Sequence, residues 1–419
     1  MEINRHSLRV AIFSGILTLA AFAQCGWAAD RGFRPPFSWR HVPVYADVGS
    51  YTGFTHSQAR FLATHFSMLS VEKGQGWLLQ KPGQSPNGES EFLKTARLLK
   101  RYNPHVCVLF YWNALKYFPF YQADALVKPA WFSGSFNWNM KAFMASSSRP
   151  NHDAWLAGKF YNVADPAFDK WWVNAAANML AHSRVNGIFV DGGITDPAST
   201  AQSDAQRLRL LSQLQFRLRQ LGRPKLILLN GLEGCGNKSG LDAAKAARFL
   251  RLADGAMFEH FDFVYSGDPG GASPQRVLAE MLAVMAASHS GKIIVVKGWP
   301  KFNWVIPGVN KIPYATLVAR ARKDITFPLA CFLICAGRYT YFDYSWGYRM
   351  GDGTIILSKN GRLVKNGRDV DPRWYPELQK PLGPPRGPPM RRGYIFTRRF
   401  QHADVWVDLT SHQARIRWH

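Results

Sequence analysis

The stretch "VNGIFVDGGITD", Val185 to Asp196, decides how the rest of the chain is read. Its apolar run is short, rich in β-formers, and stops abruptly at Asp191 and the pair Gly192-Gly193. Such a run bounded by glycine reads as a strand buried on both faces, and strands of that kind belong to parallel sheets covered by helices. A carboxylate closing an apolar strand needs either a structural partner or a chemical task.

The same unit recurs in both directions. "VPVYADVG" (42–49), "HFSMLSVEKG" (65–74) and "VCVLFYWNA" (106–114) read as three strands before it. "KLILLNG" (225–231), "GAMFEHF" (255–261), "KIIVVKGW" (292–299) and "CFLICAG" (331–337) read as four after it. Helical patterns fill the gaps. Thr55 with Gln58 forms a capping box, a helix from Glu91 to Lys100 stops before Asn103-Pro104, and Asp165-Pro166 and Ser273-Pro274 open two more. Further helices are predicted from about Ser203 to Leu221 and from about Asp242 to Leu252.

Eight strands alternating with helices predict an α/β fold, a (β/α)8 barrel of the TIM type. A doubly wound open sheet competes, but no strand leads into a GxGxxG turn. The insertion at 115–160 is longer than an ordinary connection and is expected to be functional or to shape a groove. Past residue 350, "TIILS" (354–358), "GYIFTRRF" (393–400), "ADVWVDLT" (403–410) and "ARIRWH" (414–419) predict short strands around the turn-rich "PLGPPRGPP" (381–389). The expected layout is a signal peptide at 1–28, a barrel at 29–350 and a small C-terminal β domain at 351–419.

Arg5 and Arg9 precede an apolar run from Val10 to Ala23, and small residues follow up to Ala28 and Ala29. That is the layout of a cleaved secretory signal, and the run is shorter than the roughly 20 residues of a membrane span. Export to a secreted or periplasmic location follows, with no stable membrane insertion. Cys25 leaves with the signal, and Cys107, Cys235, Cys331 and Cys335 form no CxxC pair. Neither a zinc site nor a disulfide-dense scaffold is indicated, and one disulfide stays open without an assignment. The net charge of +24 falls by only one when Glu2, Arg5 and Arg9 are removed. In an exported chain this favours an anionic polysaccharide or envelope surface over nucleic acid. A basic surface with no specific partner explains it equally well, because Lys and Arg are spread along the chain.

In a barrel of this kind chemistry gathers at the C-terminal ends of the strands. Asp191 ends the fourth strand and Glu259 the sixth, which would aim two carboxylates into one mouth. Such a pair cleaves a glycosidic bond when one group protonates the leaving oxygen and the other attacks the anomeric carbon or activates water. Each alone has a plainer explanation: Asp191 as a loop cap, Glu259 as the partner of an arginine. Glu233, in the glycine-rich loop after strand five, is the alternative acid. Asp343, Asp47 and Glu72 lie near other strand ends, where each could bind a sugar hydroxyl and Asp343 is a candidate substrate-binding residue, and His260 and Asp262 flank Glu259. Trp112, Trp299 and Trp346 are candidates for stacking on a sugar, with Tyr111, Tyr341 and Tyr344 nearby, although many of the 15 tryptophans must simply fill the core. Asn113 and Asn230 are candidates for binding sugar hydroxyls. Gly192-Gly193 is expected to let a ligand approach the backbone.

Together "YNVADPAFDKWW" (161–172), "VNGIFVDGG", "VCVLFYWNA", "AMFEHF" and the tail "PLGPPRG…GYIFTRRFQHADVWVDL" resemble hypothetical glycoside-hydrolase-like family 15. That family is similar to the α-galactosidase and α-1,4-polygalactosaminidase groups of barrels. The resemblance spans nearly all of the chain after the signal and implies a catalytic barrel with a C-terminal β domain. It also implies the roles: nucleophile at the end of strand four, Asp191, and acid/base at the end of strand six, Glu259, with retention of configuration. The expected activity is hydrolysis of poly- or oligosaccharide glycosidic bonds, with no metal and no organic cofactor. The rival is a non-catalytic carbohydrate-binding or envelope-associated barrel. An esterase or deacetylase is disfavoured by the lack of a GxSxG elbow and of a His/Asp metal cluster.

Overall fold

A computed structural model describes residues 33–79, 87–136, 158–194, 201–237, 240–263, 272–302, 311–350 and 374–419. Residues 1–28, expected to be a signal peptide, and "TIILS" lie outside the described residues, as does the middle of the 115–160 insertion.

Eight parallel strands form one sheet in sequential order: β1 (Tyr45–Val48), β2 (Met68–Val71), β3 (Cys107–Asn113), β4 (Gly187–Asp191), β5 (Leu226–Asn230), β6 (Gly255–Phe261), β7 (Ile293–Gly298) and β8 (Thr340–Tyr344). The sheet comes round on itself where Val44 bridges Phe342 and the Phe342 N–H donates to Pro43 O at 2.8 Å. Seven of the eight strands match the sequence reading. Strand backbones come very close at two starts. A Cβ on Gly187 would lie 2.4 Å from Leu226 O, and one on Gly255 only 2.0 Å from Ile293 O. Glycine is therefore required at the base of the two strands that end in Asp191 and Glu259.

Eight helices are described: α1 (His56–His65), α2 (Gly88–Tyr102), α3 (Pro166–Leu180), α4 (Ala201–Arg219), α5 (Ala243–Leu250), α6 (Pro274–Ser288), α7 (Tyr314–Asp324) and α8 (Thr326–Cys335). The starts of α1, α3 and α6 follow the caps read from sequence. Thr55 and Gln58 exchange both capping-box bonds, Asp165 accepts from Ala167 N, and Ser273 accepts from Arg276 N.

The eighth strand is a correction. "CFLICAG" was expected to be β8, but Cys331–Cys335 closes α8, and the strand is "TYFDY" just after it. Every residue from Phe327 to Cys335 is buried, so an apolar run of this kind has no alternation by which a strand could be told from a core helix.

What buries the outer face of α8 is the C-terminal part of the chain. Four antiparallel strands, β9 (Met390–Arg392), β10 (Ile395–Arg399), β11 (Ala403–Asp408) and β12 (Gln413–Trp418), pack one face against it. Phe396, Val405 and Val407 supply the apolar side of that face. Arg398 crosses the interface and donates from one guanidinium nitrogen to Leu333 O, Ile334 O and Ala336 O at 3.0, 3.0 and 2.6 Å. These are orphan carbonyls of the last turn of α8, which a cation satisfies well.

All four described cysteines are buried free thiols, so none of them supplies the disulfide left open by the sequence. Among the described residues, no helix is long and apolar enough to cross a membrane.

Candidate active site

Asn113 of β3 and Asp191 of β4 are paired in register at the C-terminal ends of their strands. Tyr111 lies two residues before Asn113 and so shares its face. Asp191 Oδ2 accepts from the Tyr111 hydroxyl and from Asn113 Nδ2 at 2.7 Å. Its Oδ1 accepts from Asn230 Nδ2 at 2.9 Å and from Gly192 N at 2.9 Å. Burial by itself would raise the Asp191 carboxyl, but the charge of Lys73, the Tyr111 and Asn230 hydrogen bonds and the charge of Lys116 together hold it below the ordinary value. Asp191 is therefore kept ionised.

Glu259 sits where β6 departs from regular pairing, since Phe258 faces Val296 while Phe261 faces Gly298 of β7. This bulge puts an extra residue into β6, and bulges of this type re-aim side chains beside functional sites. It brings His260 Nδ1 within 4.0 Å of Glu259 Oε2. Glu259 Oε2 accepts from Asn230 Nδ2 at 2.7 Å, and Oε1 accepts from the Tyr348 hydroxyl. Trp299 Nε1 donates to the Glu259 backbone carbonyl at 2.7 Å and fixes the bulged segment from β7.

The two carboxylates are thus joined through one amide. Only the nitrogen of Asn230 can face both, because its oxygen there would oppose two acceptors. The two oxygens it bonds are no farther apart than those two hydrogen bonds laid end to end. The nearest oxygens of the two carboxyl groups are therefore within hydrogen-bonding reach of one nitrogen atom.

Glu233 supports Glu259 from below. Its Oε2 accepts from the Glu259 backbone N–H at 3.2 Å, and its Oε1 lies 2.7 Å from His260 Nδ1. Burial would lower the His260 pKa, but Glu259 and Glu233 outweigh it and push the imidazole up to about 9. Glu233, Glu259 and His260 also have the donor set and spacing of a cation site.

A ring of charge underlies the pair. Lys297 of β7 is completely buried, 3.1 Å from Asp343 Oδ2 and 3.0 Å from Ser345 Oγ, with Tyr348 and Trp299 packed over its ammonium at 4.3 and 4.7 Å. Lys73 bonds Glu72 at 2.7 Å and lies 4.6 Å from the centre of the Tyr111 ring. Arg349 lies 3.7 Å from Glu72 and stacks over Tyr51. Asp47 is buried on β1, and burial followed by Glu72 raises its pKa well above the ordinary carboxylate range.

Of the residues expected from sequence, Asp191, Glu259, Asn113, Asn230 and Trp299 come together. Asn113 and Asn230 hold the carboxylates, where the sequence reading assigned them to sugar hydroxyls. Trp112 does not reach the mouth: it packs between β3 and the helix layer against Tyr121, Trp171 and Trp172. Trp346 is buried against Phe302 and Tyr314. Asp343 is the counter-ion of Lys297. Tyr341 and Tyr344 bond Pro36 O and Ala321 O, away from the pair. Gly192 serves the turn, with φ at +63° and Leu115 Cβ 2.8 Å from where its own Cβ would stand. Tyr348, Lys73 and Lys297 were missed. Lys297 had a signal, since it occupies a strand-end position equivalent to Glu259 on the next strand, but Tyr348 comes from a loop with no pattern.

Comparison with known proteins places this geometry in a family. The profile of hypothetical glycosyl hydrolase family 15 matches residues 100–404. A search of curated proteins gives no match. Among solved structures, the glycoside hydrolase domain of PelA from Pseudomonas aeruginosa is similar at 13% identity and a TM-score of 0.37, over 67% of this chain and 89% of that one. The α-amylase of Geobacillus thermoleovorans is similar at 10% identity and a TM-score of 0.44, over 88% and 87%. A maltogenic α-amylase from Thermotoga neapolitana gives 10%, 0.44, 87% and 85%. The profile covers well over half of the chain, including the strands that bear both carboxylates, and the protein belongs to hypothetical glycosyl hydrolase family 15.

Proposed function

We propose that the protein is an exported glycoside hydrolase that cleaves poly- or oligosaccharide bonds with retention, Asp191 serving as nucleophile and Glu259 as general acid and then base. The observation that carries this reading is the single Asn230 amide bridging the two carboxylates. It supports two carboxyl groups held close together at one mouth, as a pair acting on one glycosidic bond requires. In the first step an Asp191 oxygen bonds the anomeric carbon while Glu259 gives its proton to the departing glycosidic oxygen. In the second, Glu259 takes a proton from water, whose oxygen displaces Asp191 and returns the carboxylate. Donors on both oxygens of Asp191 keep it ionised for attack, and Trp299 and Tyr348 hold Glu259 in place.

Glu233 is the supporting group in this scheme, since its two oxygens are engaged by His260 and by the Glu259 backbone. Residues 29–350 form the catalytic unit and 351–419 the appended unit. The test is release of reducing sugar from a broad polysaccharide and oligosaccharide panel, with Asp191→Asn and Glu259→Gln beside the wild type. Loss of activity by about a hundredfold or more in both is expected. Survival of activity in either variant identifies the wrong carboxylate, and an inverted anomeric product by NMR refutes retention. Binding without turnover on any substrate would favour the carbohydrate-binding rival.

A further inference from the structure

The C-terminal sheet has a second face, and none of the described residues covers it. One side packs on α8. On the other, alternation along the strands sets out three rows: Met390, Thr397, Trp406 and Arg415; Arg392, Ile395, Asp408 and Gln413; and Arg399, Asp404 and Arg417. The exposure pattern agrees, with Met390, Arg392, Ile395, Arg399, Gln413, Arg415 and Arg417 exposed and Trp406 half-buried. Phe396, Val405, Val407 and Ile416, on the opposite side, belong to the core or pack against it.

Trp406 stands at the centre of this open face with no described ring stacked on it, and Arg415 is its register partner on the edge strand. Four arginines face outward against two carboxylates. Asp404 is engaged by Arg399 at 3.3 Å and His419 at 3.1 Å, and Asp408 by Ser411 at 2.9 Å. Among the described residues Arg392, Arg415 and Arg417 have no carboxylate partner, so the face carries unneutralised positive charge around a flat ring.

The sheet is also tied to the catalytic end of the barrel. His412, in the β11–β12 turn, lies 3.0 Å from Asp262, three residues beyond Glu259, and stacks on Phe327 at 3.6 Å between ring centres. The open face therefore lies on a sheet that Arg398 and His412 fix to the barrel.

We propose that this face is a second carbohydrate site that holds an anionic polysaccharide, one sugar stacked on Trp406 and its acidic groups on Arg392, Arg415 and Arg417. A pyranose presents a C–H face that an indole covers without needing hydrogen bonds, while guanidinium groups pair with carboxylate or sulfate substituents in bidentate fashion. The choice of polysaccharide rests on the hydrolase reading above, but binding at this face is measurable without turnover.

The test is affinity electrophoresis of the full chain in gels containing polygalacturonate, heparin or neutral dextran, with double-stranded DNA as a polyanion lacking an exposed sugar face. Wild type, Trp406→Ala, Trp406→Phe and the Arg415→Ala/Arg417→Ala pair are compared, each also in the Asp191→Asn background so that the result does not depend on catalysis. The expected result is retardation by the acidic polysaccharides that weakens about tenfold in Trp406→Ala, recovers in Trp406→Phe, and fades in the arginine pair and at high salt. Thermal melting checks that each variant is folded. Equal retardation of Trp406→Ala and wild type, or no retardation by any acidic polysaccharide, overturns the proposal. Retention by DNA with the same dependence on Trp406 overturns the assignment to carbohydrate. Loss of hydrolysis in Asp191→Asn with retardation intact keeps this site separate from the fate of the catalytic pair.

Discussion

Asn230 commits both N–H groups of one amide to the two carboxyl groups, and the groups around it divide the labour. Lys73 is the largest of the effects that keep Asp191 ionised, ahead of the Tyr111 and Asn230 hydrogen bonds. Removing its charge in Lys73→Met raises the Asp191 pKa, so the acid limb of the kcat/KM profile moves to higher pH, while Lys73→Arg leaves it in place. An unmoved limb in Lys73→Met would show that Asp191 does not set it. His260 gives a second signature. Its folded pKa of about 9 stands above the ordinary 6.5, so the stability it contributes is complete below about 6.5 and is lost as pH rises through about 9. Melting temperature measured across that window falls in the wild type and falls less in His260→Gln. At this scale part was legible: the β-strand termini put Asp191 and Glu259 at one end of the barrel, where the structure brings both to Asn230. Alternation also shows why one assignment had to fail. Trp112 and Asn113 are neighbours on one strand and cannot both face the lumen. Tyr348 was not legible because its bond to Glu259 spans the barrel from a loop.

Among the elements, α8 shows where local pattern runs out. Its all-round burial conceals its period, and only its place between β7 and β8, under a second sheet, gives it a reason to be apolar on every side. The sheet that covers it also closes its last turn through Arg398. Arg398→Met leaves three buried carbonyls without that donor, at a cost of about 3 kcal/mol. Denaturant unfolding should show a lower midpoint, and an unchanged midpoint would mean that water replaces the guanidinium. The bulge in β6 is likewise invisible in "GAMFEHF", since nothing in those residues marks where pairing slips. The capped starts of α1, α3 and α6 were legible because their signals are local side-chain-to-backbone bonds.

For the whole molecule, the barrel and the C-terminal sheet share one core, which runs from Val42 through α8 to Val405 and Leu409. A chain ended at residue 350 would expose Phe327 and the outer face of α8, and should be recovered as insoluble or aggregated protein by size-exclusion chromatography. A soluble, monodisperse product would show that the barrel stands alone. The sequence conveyed the number of units and their order, because each is built from local runs. It did not convey the docking of one unit on another, which depends on surfaces far apart in the chain. The seam between Pro43 and Phe342 joins residues almost 300 positions apart. At synthesis rates of about 5–20 residues per second, β1 waits roughly 15–60 s for its last neighbour. Through that interval the apolar edge of β1 has no partner strand to close it.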